Sequence, residues 1–556
     1  MTKTKATVYD YYQQLNLNIA ISDTTEIDVI VDNIYEELPL TKTNSRIAKE
    51  YLKVLILNLA NNYSISPKLY TGTHLRASRY NPKSRYNKNE VARKVTDVIH
   101  ALHKAEFVEL HKGYNDKINP VNSYITKIKA TTKLIKITKH SNHKLETDLI
   151  GNRPDTEPIV LRNKVGSKNV DVEYEDNEEI LNYRQLMIDY NNLINSTHID
   201  VYGRGNKGVL FGKQKQPIII SQKNKFVRRI FNSPDLSLGG RMYGGWWQQL
   251  NSEWRSRITF NGIPTTEIDF SGMGISLLYD HFNKPMFDGD AYDLSPVGYK
   301  NDNYTMEELR PLLKQCLMIM TNSNSYKQCL TAIKKDVRQS EGKFPSDVHI
   351  PTLIDAFAER HEPIKEFFYS SVGSQQHRLD SEIATNVIAY YLYGINRHRE
   401  NLRREGKDPK KKVPNPQLVL CIHDSFIIRA DWYQSLEDVM EQAYINHLQL
   451  NPLKEVKTKK EKIEFSKTTA IKLKKPIRTR KGWTNVRYFK TNKTFSKKRT
   501  DINKDKELQN RIKEYKKIKP SSTHYSSNDK PKEYFYKDIP KALRIIRSKK
   551  YTIKDK

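Results

Sequence analysis

Two aspartates stand where burial would be costly. Asp424 lies in LVLCIHDSFIIRADW, Leu418 to Trp432, between two apolar runs that read as buried β-strands. An unpaired carboxylate costs far more to bury than a strand gains. His423-Asp424-Ser425 is therefore either a hairpin tip that reaches solvent or a site that needs the charge. Asp269 ends the strand-like IPTTEIDF, and a helix is expected to start within Ser271 to Ser276. Brought together on one sheet, the two carboxylates would hold two Mg²⁺ ions about 3.5–4 Å apart, with Mn²⁺ as the alternative ion. That arrangement serves in-line attack of a hydroxyl on a phosphate. Aspartate after an apolar strand is also the ordinary N-cap or turn residue.

A third stretch adds cations. LRPLLKQCLMIMTNSNSYKQCL places Arg310, Lys314, Met318 and Asn322 at steps of four, a slowly drifting stripe on one helix face. Two cations and an amide there would grip a triphosphate and judge the sugar of an incoming nucleotide. The same spacing also suits an ordinary surface helix.

The elements that must position these residues lie between Phe226 and His447, where Gly-rich turns, apolar strands and long helices alternate. Asn261-Gly262 between two strand-like runs predicts a type I′ hairpin turn ahead of Asp269. RHRENLRREGKDPKKK, 397–412, is expected to be an exposed insertion. Upstream, SRIAKEYLKVLILNLANNY and NKNEVARKVTDVIHALHKAEF have helical periodicity, the second with Val91, Val95, Ile99, Leu102 and Phe107 near one face. VELHKGYND and SYITKIKATTKLIKI are expected to be two strands of a basic hairpin. Helix, helix and wing resemble a winged-helix DNA-binding module. Residues 141–165 read as a linker and DNEEILNYRQLMIDYNNLINS as an amphipathic helix. VDVEYED carries an Asp-x-Glu pair of the exonuclease kind but lacks matching downstream carboxylates, and is expected to be a surface loop.

DFSG after a strand, the Arg-x₃-Lys-x₃-Met-x₃-Asn helix and IHDSF in a hairpin occur in the order of motifs A, B and C of the single-subunit RNA polymerases and the related family A DNA polymerases. DLSLGGRMYGGWW resembles their Gly-Arg-x-Tyr element, and HRLDSEIATNVIAYYLYGI, 377–395, is similar to the helix before motif C. The resemblance covers roughly 226–447. It implies an α+β fold: a right-hand polymerase palm with an antiparallel sheet, helical fingers and a thumb. It implies Asp269 and Asp424 as metal ligands, Arg310 and Lys314 on the triphosphate, and Lys314 as proton donor to departing pyrophosphate. Arg241 and Tyr243 would lie against the template or product strand, and His423 would touch the growing chain's end or serve as a turn residue. Family A DNA polymerases carry a glutamate where this chain has Gly274, a position beneath the ribose; motif C here reads His-Asp-Ser, as in the RNA polymerases. The usual Tyr-Gly pair after the fingers helix is replaced by Asn322-Ser323.

Composition bounds the rest. A chain of 556 residues is too long for one core and suggests three or four domains. The net charge is +31, of which +24 lies from Lys454 onward, where 35 Lys and Arg face 11 Asp and Glu. KKPIRTRKGWTNVRYFKTNKTF reads as a strip that neutralises phosphates and offers Trp483, Arg487, Tyr488 and Phe489 to nucleic acid, or as a solvated lysine-rich tail. Three scattered cysteines and no apolar run of bilayer length predict a soluble, cytoplasmic protein with no membrane contact. The expected organisation is 1–140 winged-helix-like, 141–225 linker and thumb-like helices, 226–453 palm and fingers, and 454–556 a basic, partly disordered tail. The expected activity is template-directed RNA or primer synthesis with a DNA template, an RNA or DNA product strand and nucleoside triphosphates, in the setting of a phage, plasmid or other mobile element. A family A-type DNA polymerase, and a non-catalytic DNA-binding replication-initiation protein, are the alternatives.

Overall fold

The computed structural model describes residues 11–450 apart from 42–44, 116–122, 141–143, 167, 206–207, 212–216, 271, 283, 285–286, 288, 341, 343, 346 and 395–416, together with four two-residue strands between Val456 and Trp483. The 397–412 insertion and most of the basic tail, including Arg487, Tyr488 and the side chain of Trp483, lie outside the described residues. The fold is mixed α+β. Among the described residues no helix is long and apolar enough to cross a membrane.

The N-terminal unit runs β1 (Tyr12–Gln14), β2 (Ile19–Ile21), α1 (Thr25–Glu37), α2 (Ser45–Ile65), β3 (Tyr70–Thr73), α3 (Val95–Lys104), β4 (Val108–His111), β5 (Thr126–Ala130), α4 (Thr132–His140) and β6 (Ile150–Asn152). The first predicted helix forms as α2, the second only over Val95–Lys104, so that Val91 and Phe107 lie outside it, although they join α2, α3 and Ile128 in one core. The predicted hairpin is present as β4 and β5, but it is the edge of a four-stranded sheet of order β1-β3-β5-β4 and no free two-stranded wing. TTKLIKI, expected to be strand, is helix α4: Leu134 and Thr138, four apart, are both buried, so the helical period prevails over β-branched content. Part of the expected linker is also ordered, since β6 pairs with β2.

The chain continues through β7 (Ile159–Val165), β8 (Lys168–Val172), α5 (Glu178–Ser196), β9 (Ile199–Val201), β10 (Val209–Phe211), β11 (Pro217–Ile219), β12 (Arg228–Phe231), β13 (Gly239–Tyr243) and α6 (Ser252–Arg255). It then forms β14 (Ile258–Phe260), β15 (Ile263–Asp269), α7 (Met273–His281), α8 (Met306–Asn322), α9 (Tyr326–Gln339), α10 (Ile350–Arg360), α11 (Gly373–Ala389), β16 (Leu420–Ile422), β17 (Ser425–Arg429) and α12 (Tyr433–Leu450). VDVEYED, expected to be a loop, begins on the exposed strand β8 and then leaves the sheet. Among the described residues, segment 141–225 contributes one α-helix, α5. Asn177 caps its start, and Tyr190 donates its hydroxyl to Val419 O, which binds α5 into the large core instead of leaving a separate thumb.

Two sheets share that core. One has the order β13-β12-β7-β8, the other β16-β17-β15-β14-β9. A third core gathers α7, α8, α9 and α10 into a helical layer between β15 and α11. Helix α11 lies on β13, fixed by Arg229 to Glu382 at 2.5 Å and by Ser381 Oγ donating to Gly239 O.

Candidate active site

The turn sets the position of Asp269. Asn261 and Gly262 have φ of +51° and +77°, the paired positive values of a type I′ turn, and Phe260 faces Ile263 across it. From that register β15 runs antiparallel to β17, with Asp269 opposite Ser425. Asp424 immediately precedes Ser425 in the two-residue turn between β16 and β17, and its carbonyl accepts from Phe270 N at 3.2 Å. The two aspartates, 155 positions apart in the chain, therefore meet at one end of one sheet.

Their electrostatics follow from that meeting. Burial, then the Asp424 charge, then Glu267 push the Asp269 carboxyl up to about 8, with Lys314 and Arg255 opposing. Burial likewise raises Asp424, against its own backbone N–H, Arg241 and Lys314. The two protons belong to the pair. Glu267 is a third carboxylate that the sequence pattern left unmarked. It stands two residues before Asp269, on the same strand face. Arg255 Nε donates to both of its carboxylate oxygens, at 2.9 and 3.1 Å, with Nη2 2.9 Å from Oε1, and Ser425 Oγ donates to it as well, so it braces β15 against β17 beside the aspartates. The Glu-x-Asp alternation on a strand was the available signal.

Helix α8 carries the predicted stripe. Thr305 and Glu308 form a reciprocal capping box at its start, which fixes where the first turn begins. Lys314, Met318 and Asn322 are exposed and Arg310 half-buried, while Leu309, Leu312, Leu313, Cys316 and Leu317 turn into the helical core. Lys314 acts on both aspartates, so the stripe looks toward the sheet end. Arg310 is paired with Asp290 at 2.9 Å and lies 4.9 Å from the Tyr292 ring centre. Tyr292, unmarked by the sequence, is buried between these groups. Its hydroxyl is pushed up to about 12 by burial, against Arg310, with further upward push from Asp424, Asp290 and Asp269.

Gly274 opens the first turn of α7 and is exposed. A β-carbon built there would meet only Gln376 Nε2, at 3.9 Å, and that same amide donates to Gly274 O at 2.6 Å. One turn earlier on α11, Gly373 lies against the Asn322 side chain. Asn322 thus stands against the start of α11 at Gly373, Gln376 beside Gly274, and Asn322 donates to Met318 O at 2.7 Å.

Arg241 is bound to Asp380 through bidentate bonds and is largely buried, so its guanidinium is committed to a helix of the protein. Asp380, also unmarked by the sequence, is raised to about 6 by burial, with Arg241 pulling it down. Tyr243 is 39% exposed, and its ring meets that of His423 edge-on at 5.4 Å. His423 takes φ +59° in the turn; burial and then Arg241 lower it to about 4, which keeps the imidazole neutral. The tail residues Trp483, Arg487 and Tyr488 cannot be placed relative to this site from the described residues.

Among the described residues no group of three or more His, Cys, Asp or Glu forms a closed metal cage. Two adjacent carboxylates still suit magnesium, which uses one or two carboxylates and keeps its other positions for water and substrate phosphates. The sheet end therefore defines an acidic two-carboxylate site near Lys314 of α8. Comparisons with protein families, curated proteins and solved structures find no match.

Proposed function

We propose that this chain is a template-directed nucleotidyltransferase, a polymerase of the right-hand type that prefers ribonucleotides. The five-stranded sheet would be its palm and the α7–α10 layer its fingers. The observation that carries this reading is the convergence of Asp269 and Asp424 under Lys314. Their mutual repulsion in a buried setting is a cost that a divalent cation would offset. Asp269 and Asp424 would hold the ions, which when bound supply charge stabilisation at the phosphate and an activated attacking hydroxyl.

The chain's own groups do the rest. Lys314 meets the triphosphate and is placed to donate a proton to pyrophosphate as it leaves. Arg310 joins it by exchanging Asp290 for phosphate; a half-exposed pair of this kind is worth under about 1 kcal/mol, so the exchange is cheap. Tyr243 and neutral His423 form the surface against which the growing strand lies, and Arg241 acts through Asp380 to hold that surface. Gly274, with Gln376 beside it, leaves room for a 2′-hydroxyl, and Asn322, which stands against the start of α11 at Gly373, would judge the sugar.

The test is extension by the purified full-length chain with Mg²⁺, single-stranded DNA and labelled NTPs or dNTPs, with and without primer. Asp269→Asn and Asp424→Asn should each abolish synthesis while DNA binding persists, because the carboxylates act on the transition state and the basic surfaces supply affinity. Synthesis within about tenfold of the parent in either variant would sink the two-metal assignment.

A further inference from the structure

Charge is divided unevenly along the chain. Residues 151–453, which hold the paired carboxylates, sum to −1, whereas residues 1–150 sum to +8. A polyanion approaching the described part of the molecule is therefore drawn to the N-terminal unit.

That unit presents an open sheet face of unusual composition. Strand residues alternate between faces. Thr71, Thr73, Val108, Ile128 and Ala130 turn into the core, which leaves Tyr12, Tyr70, Glu109, His111, Lys127 and Lys129 on the opposite side. Tyr12 is 41% exposed, and the His111 side chain 58%. Tyr70 and His111 meet edge to face at 5.4 Å. Lys129 Nζ stands 5.1 Å from the Tyr70 ring centre and Lys127 Nζ 5.8 Å from that of Tyr12. Gly72 lies between the two tyrosines on the same face. A β-carbon there would come within 2.3 Å of Tyr12 Cδ2, so its absence lets the ring lie down on β3. At the far end of the same hairpin, Tyr114 and Tyr124 are bridged to each other and more than half exposed.

We propose that this sheet face is a binding platform for single-stranded nucleic acid. Bases stack on Tyr12, Tyr70 and His111, and phosphates meet Lys127 and Lys129. Aromatic rings on a sheet can take splayed bases, whereas in a duplex the bases already stack on one another. Glu109 holds Lys129 at 2.9 Å, but the pair is partly exposed and exchanges readily for a phosphate. The assignment does not depend on the polymerase activity, since its readout is binding.

The experiment uses the full-length chain and fluorescent single-stranded oligonucleotides, with anisotropy measured across a salt series. Tyr12→Ala combined with Tyr70→Ala should weaken single-strand binding by about tenfold or more at high salt, where phosphate attraction from elsewhere is screened. Tyr12→Phe with Tyr70→Phe should stay within about twofold, because the stacking surface remains. Lys127→Ala with Lys129→Ala should instead lower the salt slope by about 0.7 for each phosphate that the protein no longer neutralises. A 5-iodouracil oligonucleotide irradiated on the unaltered protein should crosslink to Tyr12 or Tyr70, which guards against misfolded variants. Unchanged single-strand affinity in the alanine pair, with crosslinks confined to other segments, overturns the proposal and leaves this face to a protein partner.

Discussion

At the scale of single residues, the site depends on what is placed beside each carboxylate. Asp269 and Asp424 could be marked in advance because each ends an apolar strand, and a charge at such a place needs a reason. Glu267 carried only its Glu-x-Asp spacing and Asp380 and Tyr292 carried no signal, because their roles come from partners 158, 139 and 18 positions away that only the fold brings near. Gly274 is the residue that carries sugar choice. Its missing side chain faces open space, with Gln376 Nε2 at 3.9 Å, so a longer side chain enters without displacing backbone. Gly274→Glu should fill the room proposed for the 2′-hydroxyl and desolvate that group, at a cost of a few kcal/mol. Incorporation of ATP relative to dATP should fall roughly a hundredfold, since about 1.4 kcal/mol corresponds to tenfold. The measurement is kcat/KM for both nucleotides on one template. A parent that already prefers dATP defeats the ribonucleotide assignment, and an unchanged ratio moves the gate to Asn322.

At the scale of elements, local signals with a mechanism survived and those resting on residue type alone did not. Asn261-Gly262 announced a turn because both positions need positive φ, and the α8 stripe announced a helix because four-residue steps cover one face. TTKLIKI misled, because β-branched residues favour strands only where the surroundings offer a sheet, and here Leu134 and Thr138 find the N-terminal core at helical spacing. The β14–β15 turn matters most, since a slip of one residue would send Asp269 to the other face of the sheet. Gly262→Val forces a β-branched residue to φ +77° and should destabilise the fold by about 1–3 kcal/mol. Thermal denaturation should show a lowered Tm, with synthesis at low temperature nearly preserved because the register is also held by β15–β17 pairing. An unaltered Tm would mean that this turn does not carry the strain its dihedrals imply.

At the scale of the whole molecule, buried titratable groups set how the protein answers to acid. His281, His361, His377, His423 and His447 are each lowered to about 4, with burial the leading cause in every case. His361 shows why: it sits inside the helical core, its ring nitrogens occupied by Tyr279 Oη at 3.0 Å and Ala291 O at 2.8 Å. Between pH 6.5 and 4 the unfolded chain takes up protons on these five rings and the folded chain does not, so stability falls as pH drops through that window. Each ring contributes at most about 1.4 kcal/mol per pH unit. Asp269, raised to about 8, Asp380, raised to about 6, and Asp424, raised by burial, work the other way, because the folded state holds their protons where the unfolded state releases them. Five groups against three leave a net loss of about 2–3 kcal/mol per pH unit toward acid. Total stabilities are about 5–15 kcal/mol, so cooperative unfolding should set in near pH 5 in the absence of divalent ions. Thermal melts from pH 7.5 to 4.5, with calorimetry in buffers of different ionisation enthalpy, should show a Tm that falls below pH 6 and net proton uptake on unfolding at pH 5. A flat Tm across that range, or proton release at pH 5, would show that the aspartates outweigh the histidines and that the acidic sheet end governs the stability of the chain.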